Sequence, residues 1–273
     1  MLASKIKTNK MKKKLLGTLL IAVTLLTAGR AFSGDDYEDA MLKAKKSLET
    51  AMQSSDESKI LKARGQFERI HQLKKDPWLV NYYIALADYG LAMTGAATED
   101  MKKIKQYTES GLFTLQMSID QKADFADSYV LLKALNFNRW MYEQEKMQEI
   151  VSATQNADEK ASKLDPGNPR FVLLKGISSY WTPEAFGGGA ANAVADFEKS
   201  IELFSKRVEK SELYPDWGED LSYGYLALSF IKKNGAGDLA KAKDAIDKGM
   251  EKFPGSGFLS AYVMSEYNKA KGN

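Results

Sequence analysis

From Asp36 onward the chain sets apolar residues three and four positions apart in one stretch after another, and hardly anywhere alternates them with the period of two that a strand needs. The pattern predicts an all-α chain, with helices over 36–53, 56–74, 78–94, 98–119, 123–140, 143–164, 169–181, 190–209, 217–233, 238–252 and 257–270. Proline sets several of the breaks, because its ring removes an N–H and clashes with the preceding turn. Asp76-Pro77, Asp165-Pro166-Gly167-Asn168-Pro169, Tyr214-Pro215 and Phe253-Pro254-Gly255 are read as such stops. Asp56, Asp100 and Asp238 stand where a carboxylate would accept the free N–H groups of a helix start and complement its dipole.

Helices of this length joined by short loops fold back on each other as antiparallel hairpins. The second helices share a spacing: Ala63, Phe67 and Ile70; Ala193, Phe197 and Ser200; Ala242, Ile246 and Gly249. The first helices share another, a small residue with an aromatic nearby: Ile84-Ala85 with Tyr89, Lys133-Ala134 with Phe137, Lys175-Gly176 with Tyr180, Leu226-Ala227 with Phe230. Small side chains at those places let two backbones approach, and the bulky ones reach the next hairpin, which is what stacking requires.

In these residues the chain resembles the tetratricopeptide repeat (TPR) family over most of 56–255. Its spacing departs from the family's: Ala85, Ala134, Gly176 and Ala227 lie 49, 42 and 51 positions apart, against a family period of about 34. The helices or loops must therefore be longer. The resemblance implies a right-handed α-α superhelix, a TPR-like solenoid of about five hairpins, with a C-terminal helix from Gly257 to Lys269 capping the last open face; another α-solenoid is the alternative.

Residues 1–31 read as a segment apart from a repeat domain over 32–273. Lys5, Lys7, Lys10 and Lys12 to Lys14 precede an apolar run from Leu15 to Ala28, and Ala31 and Ser33 are small residues suited to cleavage. The run is about 14 residues, short of the ~20 that cross a bilayer as a helix, so a cleavable secretory signal is expected rather than an anchor. With no cysteine in the chain there is no lipid-attachment site, and the expected location is the periplasm or outside the cell. The same lack removes disulfides, thiolate metal sites and a Cys nucleophile.

Charge changes once that segment is set aside. Seven of the 39 basic residues fall in 1–31 and none of the 36 acidic ones, so the remainder carries 32 against 36, a net of about −4. A mildly acidic chain lacks the dense basic face that nucleic acid demands, and no nucleic-acid partner is expected.

Candidate chemistry is sparse. His71 is the single histidine, and a metal site or general base would want a second ligand converging on it; it reads as a solvated residue near a helix end. Carboxylates alternate with lysines in the manner of exposed helix faces. No metal, no cofactor and no enzymatic activity are expected. The one unusual segment is Tyr180-Trp181-Thr182-Pro183-Glu184-Ala185-Phe186-Gly187-Gly188-Gly189. It reads as a structural loop, with Phe186 tucked beneath and Gly187, Gly188 and Gly189 supplying positive φ; an anion site on the glycine N–H groups is the alternative. Similar segments occur in exported bacterial proteins of this repeat class.

The resemblance also implies which residues line the concave groove. By position these include Tyr82, Tyr89, Asn138, Arg139, Arg170, Tyr180 and Trp181, giving an aromatic, apolar groove with few polar contacts. The Lys and Asn places of the family's carboxylate clamp hold Tyr82/Leu86, Leu131/Leu135, Leu173/Ile177 and Gly224/Leu228 instead, so that clamp is absent. Two functions are expected from this. The first is an exported scaffold that binds a partner protein or peptide. The second is a periplasmic transporter accessory holding a hydrophobic small molecule in an apolar tunnel, since the overall plan is similar to the helical-repeat partner proteins of tripartite ATP-independent periplasmic (TRAP) transporters.

Overall fold

The computed structural model describes residues 34–272, with side chains from Asp36 onward. The expected signal segment, 1–31, lies outside the described residues. Among those residues there is no strand, no helix long and apolar enough to cross a membrane, and no cluster of His, Asp and Glu able to hold a metal ion.

Eleven α-helices follow in order among the described residues: α1 (Gly34–Gln53), α2 (Glu57–His71), α3 (Pro77–Ala97), α4 (Met101–Gln121), α5 (Ala126–Asn138), α6 (Met147–Leu164), α7 (Pro169–Trp181), α8 (Ala190–Lys206), α9 (Glu219–Lys233), α10 (Asp238–Lys252) and α11 (Met264–Gly272). They pack as consecutive antiparallel pairs, and the pairs stack into an α-α superhelix. Five hairpins precede the cap, which opens as a π-helical turn over Phe258–Val263 before α11.

The caps follow from local chemistry. Asp56 and Asp100 each accept the backbone N–H three residues on, at 3.1 and 3.0 Å, satisfying a donor that the first turn leaves orphaned. Asn168 does the same for Arg170 and Phe171. Pro77 and Pro169 occupy the first helical position, where a missing N–H costs nothing. Asp238 is the first-turn acid of α10, where it complements the helix dipole, and its carboxylate also accepts from the N–H of Gly235 in the preceding turn.

The two repeating spacings turn out to be packing devices. Ala63, Phe67, Ala193, Phe197, Ala242 and Ile246 are fully buried, and each large one contributes about 1.5–3 kcal/mol of apolar burial. Phe67 stacks on Tyr83 with centroids 4.9 Å apart. At Gly176 a Cβ would stand 2.7 Å from the Phe197 ring, so α7 reaches its partner only because that slot is empty.

Inner and outer helices differ accordingly. Outer α4 buries Ile104, Thr108, Gly111, Leu115, Ser118 and Ile119, a single stripe at helical spacing. Inner α3 is buried on nearly all sides, including Asp88, whose carboxylate accepts from Arg64 at 2.6 Å and Ser110 at 2.7 Å. A charge is tolerated there because it is paired and hydrogen-bonded.

Candidate functional site: an aromatic chamber inside the superhelix

The inner helices line a partly open chamber of about 1360 Å³, larger than the ~300–1,000 Å³ typical of small-molecule sites. The C-terminal halves of three of them face it: Leu86, Tyr89 and Met93 of α3; Phe137 of α5, with Trp140 just beyond; Ile177 and Trp181 of α7. Met52 of α1, Tyr225 and Leu228 of α9, and Phe258 and Tyr262 of the cap complete the wall. Three of the four tryptophans, Trp140, Trp181 and Trp217, border it. The turn after α1 meets the turn before the cap, where a Cβ on Gly257 would stand 3.3 Å from the Gln53 carbonyl oxygen. The first and last hairpins thus close on each other at the chamber's edge.

Between the opposite, N-terminal halves of α3, α5 and α7 the connector 207–218 fills most of the space; of that end only Tyr83 and Leu174, with Asp216, Trp217 and Gly218 of the connector, still border the chamber. Trp217 donates its indole N–H to the Tyr82 hydroxyl at 2.9 Å. The Tyr83 hydroxyl donates to the Leu213 carbonyl at 2.7 Å, and the Lys45 ammonium to that of Glu212 at 2.9 Å. Tyr214 packs edge-on against Trp78 and Phe125. Arg170, fully buried, donates to Asp127 at 2.6 Å and Glu209 at 2.6 Å. Burial alone would lower that guanidinium's pKa; the Asp127 carboxylate beside it outweighs burial and raises it.

The expected groove residues divide across this boundary. Tyr89, Asn138 and Trp181 stand on the chamber wall. Tyr82, Arg139, Arg170 and Tyr180 do not. Tyr82 and Arg170 belong to the filled end, as above. Arg139 is turned to Glu143 and Glu149, at 2.7 and 2.6 Å. Tyr180 packs between Trp181 and Tyr225 with the Lys232 ammonium 4.5 Å above its ring. Trp140, Tyr225 and Phe258 were not singled out from sequence. Tyr225 lies one position past the repeat's groove register, Trp140 follows the end of α5, and Phe258 sits in a segment read as a cap.

The glycine loop is a rigid turn whose N–H groups are already used. Gly188 donates to the Pro183 carbonyl at 3.2 Å, and Gly189 to those of Ser179 and Thr182 at 2.9 Å, leaving no cradle for an anion. Gly187 and Gly189 take φ of +83° and +99°, and a Cβ on Gly188 would lie 2.2 Å from the Thr182 carbonyl oxygen. Phe186 does not tuck beneath the loop; it is 81% exposed, because the turn over Glu184–Phe186 points it outward. His71, at the end of α2, is outside the chamber wall.

Two electrostatic features mark the chamber. Glu49 on α1 lies against Asp216 and 3.7 Å from the Lys45 ammonium. Burial first, then the neighbouring Asp216, pushes its carboxyl up to about 8 against the pull of Lys45 and Lys46. Tyr89 is pushed up to about 12 by burial alone, and Tyr225 is raised by burial and by Tyr89.

No family model matches the chain, and no curated protein matches its sequence. By structure it is similar to the HusA haemophore from Porphyromonas gingivalis, with 20% identity, 76% of this chain and 98% of that one covered, and a TM-score of 0.62. It is also similar to a thermophilic TPR protein from Thermus thermophilus, with 15% identity, 87% and 100% covered, and a TM-score of 0.54. The fold of this chain is a divergent TPR-like α-α superhelix.

Proposed function

We propose that this protein binds and carries a large, flat, apolar ligand of the tetrapyrrole class in its chamber. The observation that carries the reading is the chamber: a partly open space of about 1360 Å³ whose wall sets aromatic and methionine side chains from five helices and the cap around one volume. Aromatic faces favour flat conjugated rings, each well-placed contact adding about 0.5–1.5 kcal/mol beyond area burial. The structural likeness to a haemophore supports the ligand class. Binding, not catalysis, is the reading, and it makes the hydrophobic-ligand alternative the preferred one.

Because Trp140, Trp181 and Trp217 border the chamber, ligand entry reports itself. Titration with protoporphyrin IX is expected to quench tryptophan fluorescence saturably, at one ligand per chain and a Kd at or below the micromolar range. Absence of saturable quenching with both protoporphyrin IX and haem sinks the proposal.

A protein partner is a second reading, and Phe186 favours it: a rigid loop holds this ring out in solvent. A photo-crosslinking residue at position 186 in the native host tests it, with one discrete adduct expected and none counting against it. Export belongs to the same proposal, and it requires the protein recovered from the envelope to have lost about the first 31 residues by intact mass.

A further inference from the structure

The chamber contains hydrogen-bond donors that nothing in the protein uses. Tyr89 of α3 and Tyr225 of α9 project from different helices, both border the chamber, and their phenols are close enough to influence each other's ionisation. The Tyr89 hydroxyl makes no hydrogen bond, its environment being felt through burial alone. The Tyr225 phenol lies near the Trp181 side chain, and since an indole N–H can only donate, Trp181 offers no acceptor for the Tyr225 proton. Two phenol O–H groups therefore border the chamber, open to whatever occupies it and donating to no acceptor in the protein.

We propose that the chamber's ligand presents an acceptor oxygen, a carboxylate or carbonyl, at its buried end, and that the hydroxyls of Tyr89 and Tyr225 receive it. This rests on the chamber being the ligand site and deepens that reading: the two tyrosines select among apolar ligands by what they carry. A ligand of the same size without an acceptor leaves both donors unpaired and binds less tightly, the asymmetry that makes polar pairing discriminate better than shape.

The test uses two matched probe pairs on the full chain, with fluorescence as the readout: protoporphyrin IX against etioporphyrin, which lacks carboxylates, and pyrenebutyrate against pyrene. Wild type should prefer the acid in each pair. Tyr89→Phe, which removes only a hydroxyl that the protein does not bond, should weaken the acid by about tenfold, the loss of one hydrogen bond of roughly 1.4 kcal/mol. It should leave the acid-free probe within twofold and the melting temperature unchanged or higher. Tyr225→Phe should act in the same direction. Equal affinities of wild type and Tyr89→Phe for the acids overturn the inference, as does a melting temperature lowered enough to show that the hydroxyl is structural. If neither porphyrin binds but the pyrene pair does, the tetrapyrrole reading has failed while the pyrene pair still decides the inference. If no probe binds the wild type, both fall.

Discussion

The same three helices behave differently at their two ends. At the N-terminal ends of α3, α5 and α7, Tyr82, Asp127 and Arg170 are locked into the connector 207–218 by hydrogen bonds and a buried ion pair. At the C-terminal ends, Tyr89, Phe137 and Trp181 face open space. One end is filled by the connector and pairs most of its polar groups, with Asn81 Nδ2 and Glu209 Oε2 left over; the other keeps open space lined with rings and two phenols that donate to no protein acceptor. A concave space lined by aromatic side chains is where a ligand is received, whereas the filled end offers no such space. Stability should therefore be concentrated at one end and ligand sensitivity at the other.

The largest expected effect breaks the filled end. Asp127→Ala removes the carboxylate that accepts from Arg170 and, at 3.1 Å, from Asn168, leaving a guanidinium fully buried with Glu209 as its remaining partner. Breaking one side of a buried pair costs about 3–5 kcal/mol. Urea unfolding should show a loss of unfolding free energy of that size. A loss under about 1 kcal/mol would mean that the filled end does not hold the fold.

How much of this was legible in the sequence follows the same division. Helix positions could be read because each depends on neighbours three and four residues away: Phe67, Phe197 and Ile246 announce a buried stripe, and Pro77 and Pro169 announce starts. The Asp56 and Asp100 caps are equally local. The connector could not be read. Residues 207–218 have no periodicity, and their partners lie far off in the chain, Lys45 with Glu212 at a separation of 167 and Tyr82 with Trp217 at 135. Without the connector, the repeat register assigns Arg170 and Tyr82 to the same groove as Trp181. Arg139 misled for a related reason: as a cation at the end of an inner helix it suggested a polar groove contact, but Glu143 lies one turn along to claim it.

A smaller effect tests the boundary between the ends, where Glu49 meets Asp216. Its folded pKa, about 8, exceeds the ordinary 4.5, so the folded chain holds the proton more tightly than the unfolded one. Stability from this group is fully present below about pH 4.5 and is lost as pH rises towards 8. The charged groups facing it are Lys45 and Lys46 on its own helix and Asp216 on the connector, with the Tyr83 phenol alongside. Glu49→Gln should remove that slope and stabilise the protein at pH 8 by on the order of 1–2 kcal/mol. Parallel stability curves for wild type and variant between pH 5 and 8 would show that the carboxyl is not held neutral.

The smallest expected change in stability falls at the open end, and there the contrast is sharpest. Trp181 is 57% exposed, so little apolar area is lost when it is truncated, and Trp181→Ala should cost under about 1 kcal/mol. Its ring nevertheless borders the chamber beside Tyr180, with centroids 5.1 Å apart. Losing one aromatic contact of about 0.5–1.5 kcal/mol weakens a flat ligand by up to about tenfold. Trp181→Ala should therefore bind protoporphyrin IX several-fold to about tenfold more weakly while unfolding near the wild-type midpoint. The opposite pattern, a large loss of stability with affinity intact, would make Trp181 a piece of core and reduce the two ends of the inner helices to one.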